Sequence, residues 1–386
     1  MAEIKNLKKA ADRILKAIKN KEKIILYGDA DLDGTGSVVI LKEAIEELNG
    51  KVSAFYFVDR EKEGYGINEI GLAFLKHFSP ALLIALDLGI TNLEEVKLAK
   101  KLGLETIIID HHQIVGSLPD ASIIVDPKQK NDKYPFKEFA TAGLAYELTR
   151  VILKDKMSDS FDNRVLELVA LATIADMMIR ENENKEYIER GLWSLRSTQR
   201  LGLKVFFEMP FLNPPAGELK EKEKIQKIVS ALNVSEIKEH LTEAFLLLTC
   251  ENERKAKNLA EKLLDRNETR RFQIKEITSQ IEEKILENPC SVIFEGDIGW
   301  TNILNGSVAS RICNKYKKPT FIYKKGKEKT TGAVRMPSGM DAVKAMKNCK
   351  KLLMTFGGHA PAAGFSIKNE NLEKFKECLI RYFKNV

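Results

Sequence analysis

Aspartates recur directly after short apolar runs in the first third of this chain. Runs of β-branched and aromatic residues that alternate with helical patterns predict buried parallel strands. An open parallel sheet binds its ligands beyond the carboxyl ends of its strands. The pattern therefore predicts an α/β fold in which one edge of the sheet receives several carboxylates. The aspartates that follow such runs are Asp29, Asp59, Asp87, Asp110 and Asp126.

Two of these positions extend into denser motifs. The first run leads into GDADLDG, which places Asp29, Asp31 and Asp33 at alternate positions, and a later run ends in DHH at residues 110–112. Alternate residues of an extended segment point the same way, and an imidazole adds a neutral nitrogen ligand. Converging carboxylates repel one another unless a cation lies between them. Because oxygen-rich sets with one histidine suit Mn²⁺ or Mg²⁺ better than Zn²⁺, the motifs predict a divalent-metal centre.

A calcium loop or a capping turn is the simpler interpretation of the GDADLDG motif. The EF-hand loop requires a glutamate at its twelfth position, and counting from Asp29 that position is Ile40. Calcium is therefore disfavoured. A single aspartate after a strand is most often a helix N-cap, so the metal prediction depends on convergence of several carboxylates.

The composition is that of an ordinary globular protein. The 386 residues are 44% hydrophobic and 30% charged, which favours two or three domains with ample core. The cysteines are odd in number and never in C-x-x-C spacing, so we expect neither a disulfide framework nor a zinc ribbon, and a reducing compartment. A charged amphipathic N-terminus in place of a signal peptide, and no long apolar run, predict a cytoplasmic protein without a membrane span. The cysteines are Cys250, Cys290, Cys313, Cys349 and Cys378.

The sequence pattern divides the chain into three parts. Residues 1–195 alternate strand and helix patterns, residues 196–288 are strongly helical and charged, and residues 289–386 begin with the strand SVIFEG. Prolines and a glycine between 210 and 217, and Asn288-Pro289, mark the two junctions. We therefore expect an α/β domain, a helical connector and a second, smaller α/β domain.

The net charge of +7 is modest, but lysines cluster between residues 315 and 329. Only a clustered basic surface argues for contact with phosphodiester backbones. A charged hairpin explains the same cluster, and both interpretations stay open.

A series of ordered segments gives the chain a family resemblance. The segments are GDADLDGTGS at 28–37, DREKEGYGIN at 59–68, DLGI at 87–90, DHH at 110–112, VDPKQKNDKYPFKEFATAGLAYEL at 125–148, ALATIADMM at 170–178 and GGHAPAAGFSI at 357–367. On these segments the chain resembles the DHH phosphoesterases and, within them, the RecJ-like single-strand nucleases. The resemblance implies a parallel-sheet DHH catalytic domain that a long helical connector joins to a smaller α/β DHH-associated domain.

The resemblance also implies roles for individual residues. His112 would face the scissile phosphate as a hydrogen-bond donor or general acid, and Asp110 would orient an imidazole. A histidine satisfied within its loop is the alternative for His112. Two Mn²⁺ or Mg²⁺ ions would activate water for phosphodiester hydrolysis, with Asp87 as the bridging ligand. The implied metal ligands are Asp29, Asp31, Asp33, Asp87, His111 and Asp176.

Arginines and a glycine loop are the implied substrate contacts. Arg60 and Arg335 correspond to residues that hold the terminal phosphate of the strand, and a guanidinium suits bidentate phosphate contact. Each arginine could instead form a surface ion pair. Arg311 and the loop Gly357-Gly358-His359 are further candidates for contacts along the strand.

The chain departs from the RecJ pattern at several positions. Ala333 stands where the family has the serine of its G-S-x-R motif, so we expect weak selectivity for a terminal phosphate. Too few residues follow the GGH loop for the OB-fold that many bacterial RecJ proteins carry, which implies a short form. Weaker intrinsic DNA affinity, or a partner that supplies it, would follow.

Three functions stay open at this point. The leading one is an exonuclease on single-stranded DNA or RNA, with a replication or repair protein as a candidate partner. A DHH phosphodiesterase that acts on nanoRNA or cyclic dinucleotides is the alternative, and the long connector and the segments 59–68 and 125–148 argue against it. A replication-associated binding protein without enzymatic activity is the third, and the intact set of implied ligands argues against it.

Overall fold

The structure is a computed structural model that describes residues 3–384 apart from 115, 211, 213–218, 235 and 288–289. The chain forms two compact units, Met1–Asn267 and Glu268–Val386, which we call the N-terminal unit and the C-terminal unit. Several residues of the expected junctions, Pro214, Pro215, Gly217, Asn288 and Pro289, lie outside the described residues. Among the helices of the described ranges, none is both long enough and apolar enough to cross a membrane.

The N-terminal unit is built on a five-stranded sheet in the order β2-β1-β3-β4-β5. All neighbouring strands run parallel. Asp29, Asp87, Asp110 and Asp126 each directly follow the last residue of a strand, which confirms the predicted parallel sheet. The strands are β1 (Lys23–Gly28), β2 (Val52–Phe57), β3 (Ala81–Leu86), β4 (Leu104–Ile109) and β5 (Ile123–Val125).

Helices cover both faces of this sheet. Along β1, Ile24 and Leu26 belong to one hydrophobic core, and Ile25 and Tyr27 belong to the core on the opposite face. The sheet is therefore buried on both sides, as its apolar runs predict. A short hairpin, β6 (Ile237–Lys238) with β7 (Leu241–Thr242), lies late in the unit. The helices are α1 (Leu7–Lys19), α2 (Leu32–Glu47), α3 (Glu69–Leu75), α4 (Leu93–Lys101), α5 (Thr141–Leu153), α6 (Asp159–Ala175), α7 (Asn182–Leu195), α8 (Leu201–Glu208), α9 (Glu221–Leu232) and α10 (Glu243–Leu248). Helix α11 (Glu253–Glu287) includes the boundary between the two units.

Helix α2 begins tightly against the end of β1. Asp31 is its N-cap, and the Asp31 side chain accepts hydrogen bonds from the main-chain N–H groups of Asp33 and Gly34, each at 3.1 Å. A Cβ atom at Gly34 would lie 2.5 Å from the carbonyl oxygen of Asp29 and 2.8 Å from its nitrogen. Only glycine fits here, so the GDADLDG motif folds the helix start directly onto the strand end.

The C-terminal unit contains a second five-stranded sheet, in the order β11-β12-β10-β9-β8. Strands β8 and β9 are parallel, and the remaining neighbours are antiparallel. Helix α12 packs on this sheet through a core that includes Ile312 and Ile322, together with Ile281 of α11. The elements are β8 (Ile293–Asp297), α12 (Asn302–Tyr316), β9 (Thr320–Lys325), β10 (Lys329–Arg335), α13 (Ala342–Asn348), β11 (Leu353–Gly358), β12 (Ala362–Lys368) and α14 (Leu372–Lys384).

Two features of the C-terminal unit bear on expectations from the sequence. Cys349 and Cys378 form a single disulfide, which the cysteine spacing did not predict. The two cysteines are 29 residues apart, and only the packing of α13 on α14 brings them together. The lysines of the basic cluster lie largely on the antiparallel β9–β10 hairpin, while Lys315 pairs with Glu282 at 2.7 Å.

Candidate metal centre

The carboxyl edge of the N-terminal sheet gathers the side chains that the sequence predicts as metal ligands. Asp29 and Asp87 follow β1 and β3, and His111 lies two residues beyond β4. Asp31 caps the N-terminus of α2, and Asp176 is the C-cap of α6. Sheet and helix ends therefore deliver the donors from separate parts of the sequence to one place.

The predicted metal ligands form two donor clusters that share the carboxylate of Asp87, and a third cluster joins Asp87 with Asp110 and His112. In the first cluster, donor atoms of Asp33, Asp87 and His111 lie within 4.8 Å of one another. In the second, donor atoms of Asp29, Asp31 and Asp87 meet the same limit. The backbone of Asp87 has a φ of 65°, a left-handed value that residues other than glycine seldom adopt and that concentrates at functional sites. A carboxylate common to more than one donor cluster is placed where it can contact more than one cation.

Asp176 extends the first cluster and leaves a buried oxygen without a donor. Its Oδ2 lies 3.5 Å from Nε2 of His111. The same oxygen is buried and accepts no hydrogen bond from the part of the chain that the structure describes. A buried, unsatisfied carboxylate oxygen is costly, and a cation would satisfy it. Carboxylate oxygens with one imidazole nitrogen fit Mn²⁺ or Mg²⁺.

Main-chain groups at the start of α5 hold the first cluster. The carboxylate of Asp33 accepts hydrogen bonds from the N–H groups of Thr141, at 2.7 Å, and Ala142, at 2.8 Å. The hydroxyl of Thr141 donates to Oδ1 of Asp87 at 3.0 Å. The N-terminus of a helix favours negative charge, so α5 both orients and stabilises these two carboxylates.

The ring of His111 is fixed with Nε2 turned towards the first cluster. Its Nδ1 lies 2.7 Å from the carbonyl oxygen of Phe139. A carbonyl oxygen only accepts, so Nδ1 carries the proton and a neutral ring presents the lone pair of Nε2. That nitrogen lies 3.4 Å from Asp87 Oδ1 and 3.7 Å from Asp33 Oδ2. A second hydrogen bond that fixes the tautomer is the usual support of a histidine ligand.

The crowding of carboxylates raises their proton affinity. Burial, reinforced by the charges of neighbouring aspartates, holds the pKa of Asp33 and of Asp87 well above the ordinary value. Burial and the charge of Asp31 raise the pKa of Asp176 to about 7. Divalent cations would relieve this repulsion, because they favour the ionised carboxylates.

His112 and Asp110 form a charged pair beside the donor clusters. His112 Nδ1 lies 2.7 Å from Asp110 Oδ1. Burial opposes the charge on His112, but the carboxylate of Asp110 outweighs it and raises the pKa of the imidazole to about 9. Burial likewise acts against ionisation of Asp110, and His112 nevertheless holds its pKa well below the ordinary value. Asp110 therefore orients His112 and keeps it protonated at neutral pH.

Arg60 lies against two of the predicted ligands. Its Nε donates to Asp29 Oδ1 at 2.7 Å, and its Nη2 contacts Asp29 Oδ2 and donates to Asp31 Oδ2 at 2.8 Å. Burial raises the pKa of Asp29, and the guanidinium opposes that rise. Burial acts on Asp31 as well, but there the guanidinium prevails and lowers the pKa. The arginine predicted to bind phosphate therefore contacts the second donor cluster.

Sequence reasoning missed Thr141 and Tyr65. Thr141 supports both Asp33 and Asp87, and the hydroxyl of Tyr65 donates to the main-chain oxygen of Asp87 at 3.0 Å. The Tyr65 oxygen also lies 3.3 Å from Nδ1 of His112. Tyr65 lies in segment 59–68 and Thr141 in segment 125–148. Both segments carry the family resemblance, and that membership is the sequence signal that could have identified the two residues.

The remaining predicted substrate contacts belong to the C-terminal unit. Arg335 ends β10, where its Nε donates to Ser310 Oγ at 2.9 Å, and Arg311 is exposed on α12. Gly358 has a φ of 132°, and a Cβ there would meet the backbone of β12 at 2.6 Å. Because Arg335 and Gly358 pair with consecutive residues of β12, Ala362 and Ala363, the structure brings Arg335 and the glycine loop with His359 to one end of that strand.

Comparison with known families defines the class of protein. Residues 23–173 match the DHH family, N-terminal domain, and residues 289–385 match the DHHA1 domain. The chain therefore carries a DHH domain followed by a DHHA1 domain. Along almost its whole length it is similar to RecJ proteins.

Two relatives and one solved structure illustrate this similarity. The chain is 34% identical over 383 residues to the single-stranded-DNA-specific exonuclease RecJ of Bacillus subtilis, covering 98% of this chain and 48% of that protein. The Escherichia coli protein of the same name is 26% identical, with 97% of this chain and 68% of that protein covered. A crystal structure of exonuclease RecJ bound to manganese matches with a TM-score of 0.76 at 26% identity, over 98% of this chain and 94% of that chain. The chain thus spans about half the length of the B. subtilis relative.

Proposed function

We propose that the chain is a metal-dependent phosphodiesterase that degrades single-stranded nucleic acid from an end. The observation that carries this proposal is the pair of donor clusters that share Asp87. The names of the relatives, single-stranded-DNA-specific exonuclease, and the manganese in a similar structure support the same activity. Single-stranded DNA is accordingly the substrate we propose first, with RNA as the second.

The proposed metal ligands are those predicted from the sequence. Asp33, Asp87, His111 and Asp176 would hold one divalent cation, and Asp29, Asp31 and Asp87 a second. Two such cations lower the pKa of a bound water and offset the charge that develops on the phosphate during hydrolysis. A side-chain nucleophile is then unnecessary.

The side chains around the donors have distinct proposed roles. His112, kept protonated by Asp110, donates a hydrogen bond to an oxygen of the scissile phosphate. In the C-terminal unit, Arg335 and the loop Gly357-Gly358-His359 contact phosphates of the strand, and Arg311 adds a weaker contact. Arg60 contacts the terminal phosphate. The proposed division of labour assigns residues 1–195 to chemistry and residues 289–386 to substrate binding, with a helical connector between them.

An assay with end-labelled oligonucleotides of several lengths and both sugars tests the proposal. We expect Mn²⁺- or Mg²⁺-dependent loss of terminal nucleotides from single strands, abolished by EDTA and by Asp87→Ala. Binding should weaken with salt by a slope of about −0.7 per phosphate contacted. Faster hydrolysis of dinucleotides or cyclic dinucleotides than of long strands would instead identify a small-substrate DHH phosphodiesterase. Full activity in excess EDTA would refute the metal mechanism.

A further inference from the structure

The two donor clusters differ in what their carboxylates contact. Asp33 accepts hydrogen bonds from main-chain N–H groups, and Asp87 accepts one from a hydroxyl. Asp29 and Asp31 also accept main-chain hydrogen bonds, but they face the guanidinium of Arg60 in addition. One cluster is therefore balanced by neutral dipoles of the fold, and the other by a full positive charge on a side chain.

The Arg60 guanidinium occupies the oxygens that a cation would use. Oδ1 of Asp31 is engaged by the main-chain N–H groups that start α2, so Oδ2 is the oxygen left for a ligand bond. Oδ1 of Asp29 accepts from the N–H of Ala30 at 2.7 Å and from Arg60 Nε. Nη2 of Arg60 contacts Oδ2 of both aspartates. A divalent ion coordinated by these oxygens would have to occupy the position of Arg60 Nη2. The ion and the guanidinium exclude each other there, because their atoms would overlap and their positive charges repel.

The Arg60 side chain can also move away from Asp29 and Asp31 with little loss of packing. Its side chain is 44% exposed, whereas that of Asp29 is fully buried. It lies in the segment after β2 that includes Gly64 and Gly66, both with positive φ. Its other close neighbour is the Tyr65 ring, whose centroid lies 5.4 Å from the guanidinium carbon. An exposed arginine on a loop loses few packing contacts when its ion pair breaks.

We propose that Arg60 and a divalent cation compete for Asp29 and Asp31, so that metal binding at this cluster releases Arg60 to bind a substrate phosphate. The inference rests on the proposed metal centre and adds a coupling to it. Arg60 stabilises the carboxylates before the cation arrives. Once displaced, its guanidinium stands beside the cation with no carboxylate partner from this pair, ready for an anion. Cation binding at this cluster therefore precedes phosphate binding by Arg60.

Calorimetric titration with Mn²⁺, in the absence of nucleic acid, tests the competition on the full chain. We expect Arg60→Met to tighten the weaker of two Mn²⁺ sites about tenfold, a coupling of ordinary size between sites, and to leave the tighter site nearly unchanged. Lys62→Met is the matched control, since Lys62 lies in the same loop, is 78% exposed and pairs with Asp59 at 2.8 Å. An equal gain in Lys62→Met would mean that only the general loss of positive charge matters, and would overturn the proposal.

A measurement on the unaltered chain keeps the inference testable if a variant misfolds. Phenylglyoxal modifies accessible arginines, and peptide mass spectrometry reports the rate at Arg60. We expect Mn²⁺ to accelerate that modification severalfold, because the displaced guanidinium is no longer paired. An unchanged or slower rate in saturating Mn²⁺ would overturn the competition. If the unaltered chain binds no Mn²⁺ at all, the proposed metal centre itself fails, which is a different result.

Discussion

The two donor clusters of the metal centre are built by different parts of the molecule. In the first cluster, which we call the inner cluster, Asp33 and His111 are 2% and 1% exposed and are fixed by main-chain groups near the start of α5. In the second cluster, which we call the outer cluster, Asp29 and Asp31 are 0% and 29% exposed and both pair with Arg60. The difference indicates that the inner cluster is preorganised by the fold, whereas the outer one is balanced by a side chain on a loop. Preorganised sites need less rearrangement to bind a cation.

Removing the shared carboxylate should have the largest effect, because both clusters lose a donor. We expect Asp87→Ala to lower kcat/KM at least about a thousandfold, roughly 4 kcal/mol of transition-state stabilisation, and to weaken both Mn²⁺ sites. Nuclease assays and calorimetry check the two effects. Asp120→Ala is the control, since Asp120 is 66% exposed and pairs only with Lys100 among its described salt bridges. Loss of one Mn²⁺ site with the other intact would contradict the shared role.

The adjacent histidines should separate metal binding from turnover. His111→Ala should reduce Mn²⁺ occupancy, because Nε2 points at the inner donors. His112→Ala should retain the metals and lower kcat by about a hundredfold, the usual size of a proton-donor effect. Metal analysis of the two purified variants, beside their turnover numbers, distinguishes these outcomes. Equal metal loss in both variants would show that His112 belongs to the inner cluster as a ligand.

The sequence was sufficient to predict the sheet and the convergence of the donors. Apolar runs that end in aspartate predict parallel strands with acidic carboxyl ends, and Asp29, Asp87 and Asp110 follow their strands as expected. The clustering follows from the topology of a parallel sheet, which brings distant strand ends to one edge. Asp176 required the family resemblance, because a helix C-terminus has no comparable signal.

Contacts that depend on three-dimensional packing were out of reach of the sequence. Nothing in the pattern around Thr141 distinguishes a hydroxyl that supports a carboxylate from one that starts a helix. The disulfide between Cys349 and Cys378 depends on the packing of α13 against α14, which sequence spacing does not report. The pairing of Arg60 with Asp29 and Asp31 likewise depends on the conformation of the loop after β2.

Helix α2 carries ligands of both clusters, so its anchor should affect them together. Glu43 of α2 accepts from Arg200 at 2.6 Å, and the Arg200 side chain is 4% exposed. We expect Glu43→Gln to lower the free energy of unfolding by about 3 kcal/mol at neutral pH, because a buried guanidinium loses its partner. Urea denaturation measures this loss. Glu46→Gln, which removes a surface pair with Lys42, is the control and should cost about 0.5 kcal/mol or less.

The same substitution has a defined pH dependence. Burial opposes ionisation of Glu43, but Arg200 outweighs it and the pKa is lowered from 4.5. A lowered pKa in the folded state contributes stability that is present above the unfolded pKa and is lost as the pH falls through the folded pKa. The difference between wild type and Glu43→Gln should therefore shrink progressively below pH 4.5. A difference that grows on acidification would contradict the ion pair.

Two single-hydroxyl deletions, which should have the smallest effects, compare buried with exposed support of Asp87, the residue that both clusters share. Thr141→Val removes the hydroxyl that orients the Asp87 carboxylate, and loss of such an outer-shell partner should weaken Mn²⁺ binding about tenfold or more. Tyr65→Phe removes a hydrogen bond to the main chain of Asp87 from a residue that is 47% exposed. Water can replace that donor, so we expect a change of only about two- to threefold.

Calorimetry with Mn²⁺ on both variants makes the comparison, with Thr149→Val as the control for a buried threonine on the same helix. Thr149 donates to the carbonyl oxygen of Ala145 at 2.8 Å and contacts none of the donors. Its loss should therefore affect stability and leave Mn²⁺ affinity unchanged. If Tyr65→Phe weakens Mn²⁺ binding as much as Thr141→Val does, the exposed Tyr65 hydroxyl positions Asp87 as strongly as the buried Thr141 hydroxyl. The expected difference between buried and exposed support of Asp87 would then be wrong, because the two hydroxyls would contribute equally despite their different burial.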